Sequence, residues 1–359
     1  MQRKKELLGL NGLKVIFCIM IIMLHYRGNL SYAKVPVEGL WFFFYYGGLG
    51  VEFFFILSGF LTAYNYEEKI GTCSLATYWF GRTKKLFPYV LYSVTMDAIC
   101  CFLDHYFGTG IYHYINNQDF WTFCISINIP LRALITGVTG VVYSGVIWFV
   151  CDLALCYFIW GVVKKLTNNS TKNALWIFAI FLTVGMVGQT TGTSLWFLPD
   201  HLFKAISCFF IGVMIYHFRE KYDTFKISCL SMFVIGVLAF LTIVYDAERV
   251  FGDVRLSFSI FVIPALILIV LDIPLASKAF SCKVFRCAST YTTAIYVTHA
   301  NVIHLFHILQ IRNGWRVQYD TWYVFLLIFV LCIITGISSE WIVKKILVPF
   351  CEWITPVRR

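Results

Sequence analysis

Ten long apolar stretches constrain the fold of this chain more than any other feature. Each runs for 16 to 23 residues, close to the roughly 20 residues that a helix needs to cross the hydrocarbon core of a bilayer. No water reaches that core, so a spanning segment satisfies its backbone N–H and C=O groups within its own helix. The pattern therefore predicts an all-α, polytopic membrane bundle of about ten transmembrane helices.

The composition agrees with a membrane location. Of the 359 residues, 59% are hydrophobic and only 13% are charged, which excludes an ordinary soluble domain. Because the apolar stretches use nearly all of the length, we expect a single membrane domain over residues 1–359. The 13 cysteines follow no zinc-binding spacing, and no metal is expected.

Lysine and arginine are distributed unevenly between the predicted loops. The loops and tails predicted to lie on the same side of the membrane as the N-terminus carry 20 of the 29 basic residues, and the loops on the opposite side carry 8. Because basic residues favour the cytoplasmic side, this bias predicts that both termini are cytoplasmic. The net charge of +10 therefore reflects membrane topology, and no nucleic-acid partner is expected. Segment 106–140 is more polar and is expected to hold a re-entrant or interfacial segment. The predicted spans are 10–26, 41–63, 86–105, 141–163, 174–189, 201–216, 227–245, 256–275, 291–309 and 321–343.

The first span carries two basic residues, Lys14 and His25. Eleven helical steps come within about 20° of three full turns, so both side chains lie on one face, about 16 Å apart along the axis. A cation within a span is costly unless it faces a protein interior or a watery cavity. We therefore expect a polar stripe on this helix that faces inward.

The second span combines small residues with one acid. Small residues such as Ser58 and Gly59 favour close helix packing, and Glu52 is the only charge in the span. We expect Glu52 to pair with an interior cation such as Lys14. Such a pair is compatible with a position beside an active site.

A basic segment precedes the third span. Arg82 and Lys85 are three residues apart and are expected on one helical face, and Pro88 follows at the start of the apolar segment, where it is tolerated best. The simplest interpretation is a cytoplasmic anchor for the helix. The same cations could also bind phosphates.

Together these motifs resemble the acyltransferase-3 family of integral-membrane O-acyltransferases. The resemblance is strongest over residues 9–92 and rests on the cation separated from His25 by ten residues, the run at 50–61 (GVEFFFILSGFL) and Arg82-x-x-Lys85-Leu-Phe-Pro-Tyr. Trp148 in the fourth span and the Ile-Tyr-Val-Thr-His segment ending at His299 also resemble that family.

The resemblance implies transfer of an acetyl or other short acyl group from cytoplasmic acyl-CoA. The acceptor would be a hydroxyl of an extracytoplasmic polysaccharide, or of another surface or lipid-linked glycan, at a bacterial inner (plasma) membrane. It also implies that His25 is the catalytic base, with Lys14 beside it and Glu52 orienting Lys14. Arg82 and Lys85 would handle the anionic donor.

This sequence departs from the family pattern at three places. Lys14 and Lys85 replace the usual arginines, which keeps the charge but loses the bidentate geometry that arginine offers to phosphate. Asp152 is the one acid shortly after Trp148, where the family often has carboxylates. His299 lies in the middle of its span, either as a structural histidine or as a second polar contact.

Two other functions are compatible with these residues. Lys14, Glu52 and Asp152 could instead line the path of a transporter or flippase for a small anionic or lipid-linked molecule. The two exchanges of arginine for lysine also leave room for a catalytically degenerate family member that binds a partner. Dependence on coenzyme A would separate an enzyme from a transporter.

Overall fold

The computed structural model describes residues 7–31, 34–111, 146–191, 200–222 and 258–354. Within those ranges the chain is helical and contains no strand, which confirms the predicted all-α class. A short 3-10 helix covers Glu38–Leu40, and π-helical segments cover Phe258–Val262 and Val343–Leu347. The α-helices are α1 Leu10–Asn29, α2 Trp41–Tyr45, α3 Leu49–Tyr66, α4 Leu75–Thr83, α5 Phe87–Phe107, α6 Ile147–Leu166, α7 Thr171–Thr191, α8 Asp200–Lys221, α9 Ile263–Asp272, α10 Pro274–Phe280, α11 Lys283–Ser289, α12 Thr292–Asn313, α13 Trp322–Ile342 and α14 Val348–Ile354.

Seven helices of the described ranges are long and apolar enough to cross a membrane, and two bent helix pairs bring the number to as many as nine. The bent pairs are Glu38–Tyr45 with Leu49–Tyr66, at 52°, and Phe258–Asp272 with Pro274–Phe280, at 96°. These helices match nine of the ten predicted spans. The predicted span at 227–245 and most of the polar segment at 106–140 lie outside the described residues.

Local chemistry explains where several helices begin and end. Pro274 has no N–H and disfavours helical backbone in the residue before it, so Ile273 is extended and α9 and α10 meet at a sharp bend. Gly108 and Gly314 end α5 and α12 in the left-handed conformation, with φ of 63° and 64°. Glycine adopts this conformation at little cost because it has no Cβ.

The helices group into two compact units. In the first, which holds Met1–Phe17, Gly48–Phe80 and Leu153–Thr290, α8 packs against α3 and α7. In the second, which holds Cys18–Gly47, Gly81–Asp152 and Tyr291–Arg359, α12 packs against α5 and α13.

Exposed apolar side chains mark lipid-facing surfaces. On α7 the exposed residues Trp176, Ile180, Val184 and Val187 repeat every three or four positions and form one continuous face. A soluble protein would rarely leave such a stripe uncovered, whereas a membrane protein presents it to acyl chains. The side-chain pattern thus supports a multi-pass membrane protein.

Candidate active site

Two histidines meet within the second unit. His25 lies in the last turns of α1 and His299 in the middle of α12, and the His25 Nδ1 and His299 Nε2 atoms are 2.9 Å apart. The His299 side chain is completely buried, whereas His25 keeps part of its surface exposed. His25 is therefore the member of the pair that a substrate can reach.

The neighbouring carbonyl groups determine which nitrogens carry protons. His299 Nδ1 lies 2.7 Å from the Tyr296 carbonyl oxygen, and a carbonyl can only accept, so this nitrogen carries a hydrogen. In a neutral ring the His299 Nε2 atom is then an acceptor, and His25 Nδ1 must donate to it. The Ile21 carbonyl oxygen lies 3.0 Å from His25 Nδ1 and accepts from the same N–H group, which is therefore shared between two acceptors. This arrangement leaves the lone pair of neutral His25 on Nε2.

The backbone around the pair is held by side-chain hydrogen bonds from α1 to the loop after α12 and from α12 to α5. The Tyr26 hydroxyl, next to His25, donates to the Tyr319 carbonyl oxygen at 2.7 Å. On α12 the Asn301 amide donates to the Ser93 carbonyl oxygen of α5 at 3.1 Å. Buried hydrogen bonds of this kind fix side chains in one arrangement, which favours a preorganised histidine pair.

Lys14 belongs to the first unit, where it is partly buried and lines an open cavity. The other cations of that cavity are Lys283 and Arg286, on α11. The charge distribution along the sequence accounts for these two residues only as topological charge. Their spacing of three residues, which places both side chains on one side of a helix, is the sequence feature that could have indicated a shared site.

Glu52 is completely buried in the first unit, on α3. Its carboxylate forms an ion pair with Lys204 of α8, with 3.6 Å between Oε1 and Nζ, and accepts a hydrogen bond from the Ser259 hydroxyl. Neither residue was predicted, although a lysine inside an apolar span such as Lys204 is itself a sign of an interior partner.

Arg82 and Lys85 do not share one helix, which corrects the expectation of a single helical face. Arg82 lies in the last turn of α4, and Lys85 lies exposed in the turn between α4 and α5. Pro88, the second residue of α5, explains the break. In a continuous helix its ring would clash with the Lys84 carbonyl, and it offers no N–H for a hydrogen bond.

The remaining predicted residues lie on α6 and α3. Asp152 is completely buried on α6, and Trp148 is partly buried near the start of the same helix. Ser58 is partly buried on α3, where its carbonyl oxygen accepts a hydrogen bond from Thr62. Of the predicted site residues, the structure joins His25 with His299 directly.

Comparison with known proteins adds the family. The profile of the acyltransferase-3 family, described as an acyltransferase domain, matches residues 7–341. Searches of curated proteins and of solved structures found no match. The family match extends well beyond residues 9–92, on which the motif resemblance was strongest, and includes α12 with His299. Since the match covers nearly the whole of a chain rich in membrane-spanning helices, the protein belongs to the acyltransferase-3 family of membrane acyltransferases.

Proposed function

We propose that this protein is a membrane O-acyltransferase that moves an acetyl or other short acyl group from acyl-CoA to a hydroxyl of an extracytoplasmic glycan. The family supports acyl transfer in general. The observation that carries the specific mechanism is the contact between His25 and His299, because it gives one histidine a free lone pair and a fixed orientation. The proposed location is a bacterial inner (plasma) membrane, with surface or lipid-linked polysaccharide as the acceptor.

In the proposed reaction His25 is the general base. Its Nε2 atom takes the proton of the acceptor hydroxyl as the oxygen attacks the thioester carbonyl, and a tetrahedral oxyanion forms. When the oxyanion collapses, the C–S bond breaks, and the His25 imidazolium returns the proton to the departing thiolate of coenzyme A. An ester and a free thiol result, with no redox step and no metal required.

His299 is the proposed positioning residue. As His25 gains a proton, its Nδ1–H becomes a donor from a charged group, and the hydrogen bond to His299 Nε2 strengthens. A hydrogen bond that is stronger in the charged form favours the transition state over the ground state. His299 also prevents the His25 ring from turning, because its own Nδ1–H is held by the Tyr296 carbonyl.

The direct test is release of free thiol from acetyl-CoA by the purified full-length protein in detergent. His25→Asn should lower the rate by about 10²- to 10⁴-fold, the usual contribution of a general base. His307→Asn on α12 is the matched control, because it removes a partly buried histidine of the same unit that the mechanism does not use. Size-exclusion elution and the thermal unfolding midpoint verify that each variant is folded.

The outcome separates the candidate functions. Loss of thiol release in His25→Asn, with the control unchanged, supports the proposal and justifies a search for the glycan acceptor. Equal rates in wild type and His25→Asn would contradict the role of His25. If acetyl-CoA is neither bound nor cleaved, even with polysaccharide added, the transporter and the degenerate family member become the better explanations.

A further inference from the structure

The first unit contains an open cavity of about 780 Å³, between the start of α1 and the segment around α11. Its size falls within the range of about 300–1,000 Å³ that small-molecule sites occupy. Three cations line it, Lys14, Lys283 and Arg286, and its described lining includes no carboxylate. The cavity therefore has the size of a ligand site and the charge to attract an anion.

The three cations come from two helices. Lys283 and Arg286 are exposed and three residues apart on α11, so they project from the same side of that helix. Lys14 is partly buried on α1, and Asn11 lies three residues before it on the same face. Lys14 is thus a less hydrated cation at the wall of the cavity, and an anion bound against it would be screened less by water.

Uncharged polar groups complete the lining. Asn11, Ser289 and Thr290 line the same cavity. The Asn11 amide can donate to a ligand, whereas the Ser289 and Thr290 hydroxyls donate to the Arg286 and Cys287 carbonyl oxygens and can still accept a hydrogen bond. Arg286 can bind two phosphate oxygens at once, whereas the lysines act as point charges. This combination suits a ligand with several phosphate groups and a polar ring system better than a single small anion.

We propose that the cavity binds the phosphate-bearing adenosine end of the acyl-CoA donor. This inference rests on the proposed function, because it names the donor site of the same enzyme. The 3′-phosphate and the diphosphate of coenzyme A present several negative charges to Lys14, Lys283 and Arg286. The proposal assigns donor binding to Lys283 and Arg286 of α11, which the motif resemblance does not include.

A cysteine inside the cavity provides a direct reporter. Cys287 lines the cavity and is exposed, whereas Cys282, five residues earlier, is equally exposed and is not part of the lining. A ligand in the cavity should shield the Cys287 thiol from alkylation and leave Cys282 unaffected. The chain thus contains both the probe and its internal control.

The experiment alkylates the purified full-length protein with limiting iodoacetamide and measures both cysteines by mass spectrometry. Adenosine 3′,5′-bisphosphate is the probe, because it carries phosphates without a thiol. At ten times its dissociation constant it should slow Cys287 labelling roughly tenfold, in proportion to the unoccupied fraction. Cys282 labelling should not change, and adenosine without phosphates should protect neither site.

Charge variants test the assignment of the cations. Lys283→Gln and Arg286→Gln should each raise the bisphosphate concentration needed for protection, and the KM for acetyl-CoA, by about tenfold, as expected for one charge-assisted hydrogen bond. Lys278→Gln is the matched control, because Lys278 is exposed on the neighbouring α10 and lies outside the cavity. All three side chains are on the surface, so their replacement should leave the fold intact.

The possible outcomes distinguish a failure of the cavity assignment from a failure of the proposed acyl transfer. Protection of Cys287 without acetyl-CoA cleavage supports the cavity and contradicts the proposed transfer. Histidine-dependent cleavage with no protection, and with KM unchanged in both variants, overturns the cavity assignment alone. Protection by phosphatidylglycerol vesicles in the absence of nucleotide, but not by phosphatidylcholine vesicles, would assign the cavity to a lipid headgroup and overturn the donor proposal.

Discussion

At the scale of single residues, the direction of the hydrogen bond between them distinguishes His25, the donor, from His299, the acceptor. Both nitrogens of the His299 ring are already engaged, Nδ1 with the Tyr296 and Ile295 carbonyl oxygens and Nε2 with His25. His25 uses Nδ1 for its contact with His299 and keeps Nε2 for a substrate proton. Two histidines that look equivalent in sequence therefore have different roles in the proposed mechanism.

We predict that His299→Ala lowers kcat for acetyl-CoA cleavage by about tenfold to a hundredfold with little change in KM. The reason is the loss of one charge-assisted hydrogen bond, which contributes about 1.5–3 kcal/mol. His299→Gln should recover part of the rate, since its amide oxygen can accept from His25 Nδ1. Steady-state kinetics of both variants, beside His307→Ala, measure the effect. A large rise in KM with kcat unchanged would contradict a positioning role.

Glu52 illustrates how a buried charge can be structural. Its carboxylate is 0% exposed and pairs with Lys204, which is 23% exposed, across the contact of α3 and α8. Removing one partner of a buried pair leaves the other charge uncompensated, which usually destabilises more than removal of both. The family resemblance instead implies a catalytic role for Glu52, which can be tested separately from folding.

We predict that Lys204→Met lowers the free energy of unfolding by about 3 kcal/mol, the lower end of the range for buried pairs because Lys204 is partly hydrated. The double variant Glu52→Gln with Lys204→Met should recover most of the thermal unfolding midpoint. If Glu52 is structural, the double variant also keeps its acetyl-CoA turnover. A well-folded double variant without turnover would instead place Glu52 in the reaction.

At the scale of helices, glycines determine how closely α3 and α8 approach. A Cβ atom added at Gly59 of α3 would collide with the Phe209 carbonyl of α8, and one added at Gly212 of α8 would collide with the Ile56 carbonyl of α3. Both obstacles are backbone atoms, which cannot move aside as a side chain can. Close contact through small residues is the typical way in which helices associate inside membranes.

We predict that Gly59→Ala and Gly212→Ala each lower stability by about 1–3 kcal/mol, the usual effect of overpacking. Thermal unfolding in detergent measures the shift of the midpoint. Gly81→Ala is the matched control, because an added Cβ there meets open space on α4. Its midpoint should stay unchanged or rise slightly, since alanine favours a helix over glycine. Midpoints of Gly59→Ala and Gly212→Ala equal to the control would contradict tight packing of α3 on α8.

At the scale of the whole molecule, ion pairs between loops and between helix ends show which segments lie on the same side of the membrane. Lys34 and Asp320 are 3.2 Å apart, so the loop after α1 and the loop after α12 lie on one side of the bilayer. Arg219 and Asp272 are 2.6 Å apart, so the ends of α8 and α9 also lie on one side. Both pairings agree with the predicted order of inner and outer loops, although neither identifies the cytoplasmic face.

We predict that both termini face the cytoplasm, because the segments on that side carry the excess of Lys and Arg. Fusions of a reporter that fluoresces only in the cytoplasm should be active at either end of the chain. In intact cells an impermeant maleimide should label Arg316→Cys, in the loop after α12, and leave the exposed Cys282 unlabelled. Labelling of Cys282 before the membrane is opened would contradict this orientation.

The hydrophobic pattern by itself predicted the helical class and the approximate bounds of nine of the ten spans. These features depend on local chemistry and on bilayer thickness, which act along the chain. The break before Pro88 was not predicted, because Arg82 and Lys85 were expected on one helical face. The single Lys14–His25 face followed from the helical repeat alone.

Only the tertiary structure decided which side chains meet. His25 and His299 are 274 positions apart, and no periodicity relates residues on different helices. The same limit applies to the ion pair of Glu52 with Lys204 and to the cavity that Lys14 and Lys283 share, because each depends on which helices pack and at what rotation. Local rules specify the elements of this protein, whereas contacts between distant elements create its candidate active site.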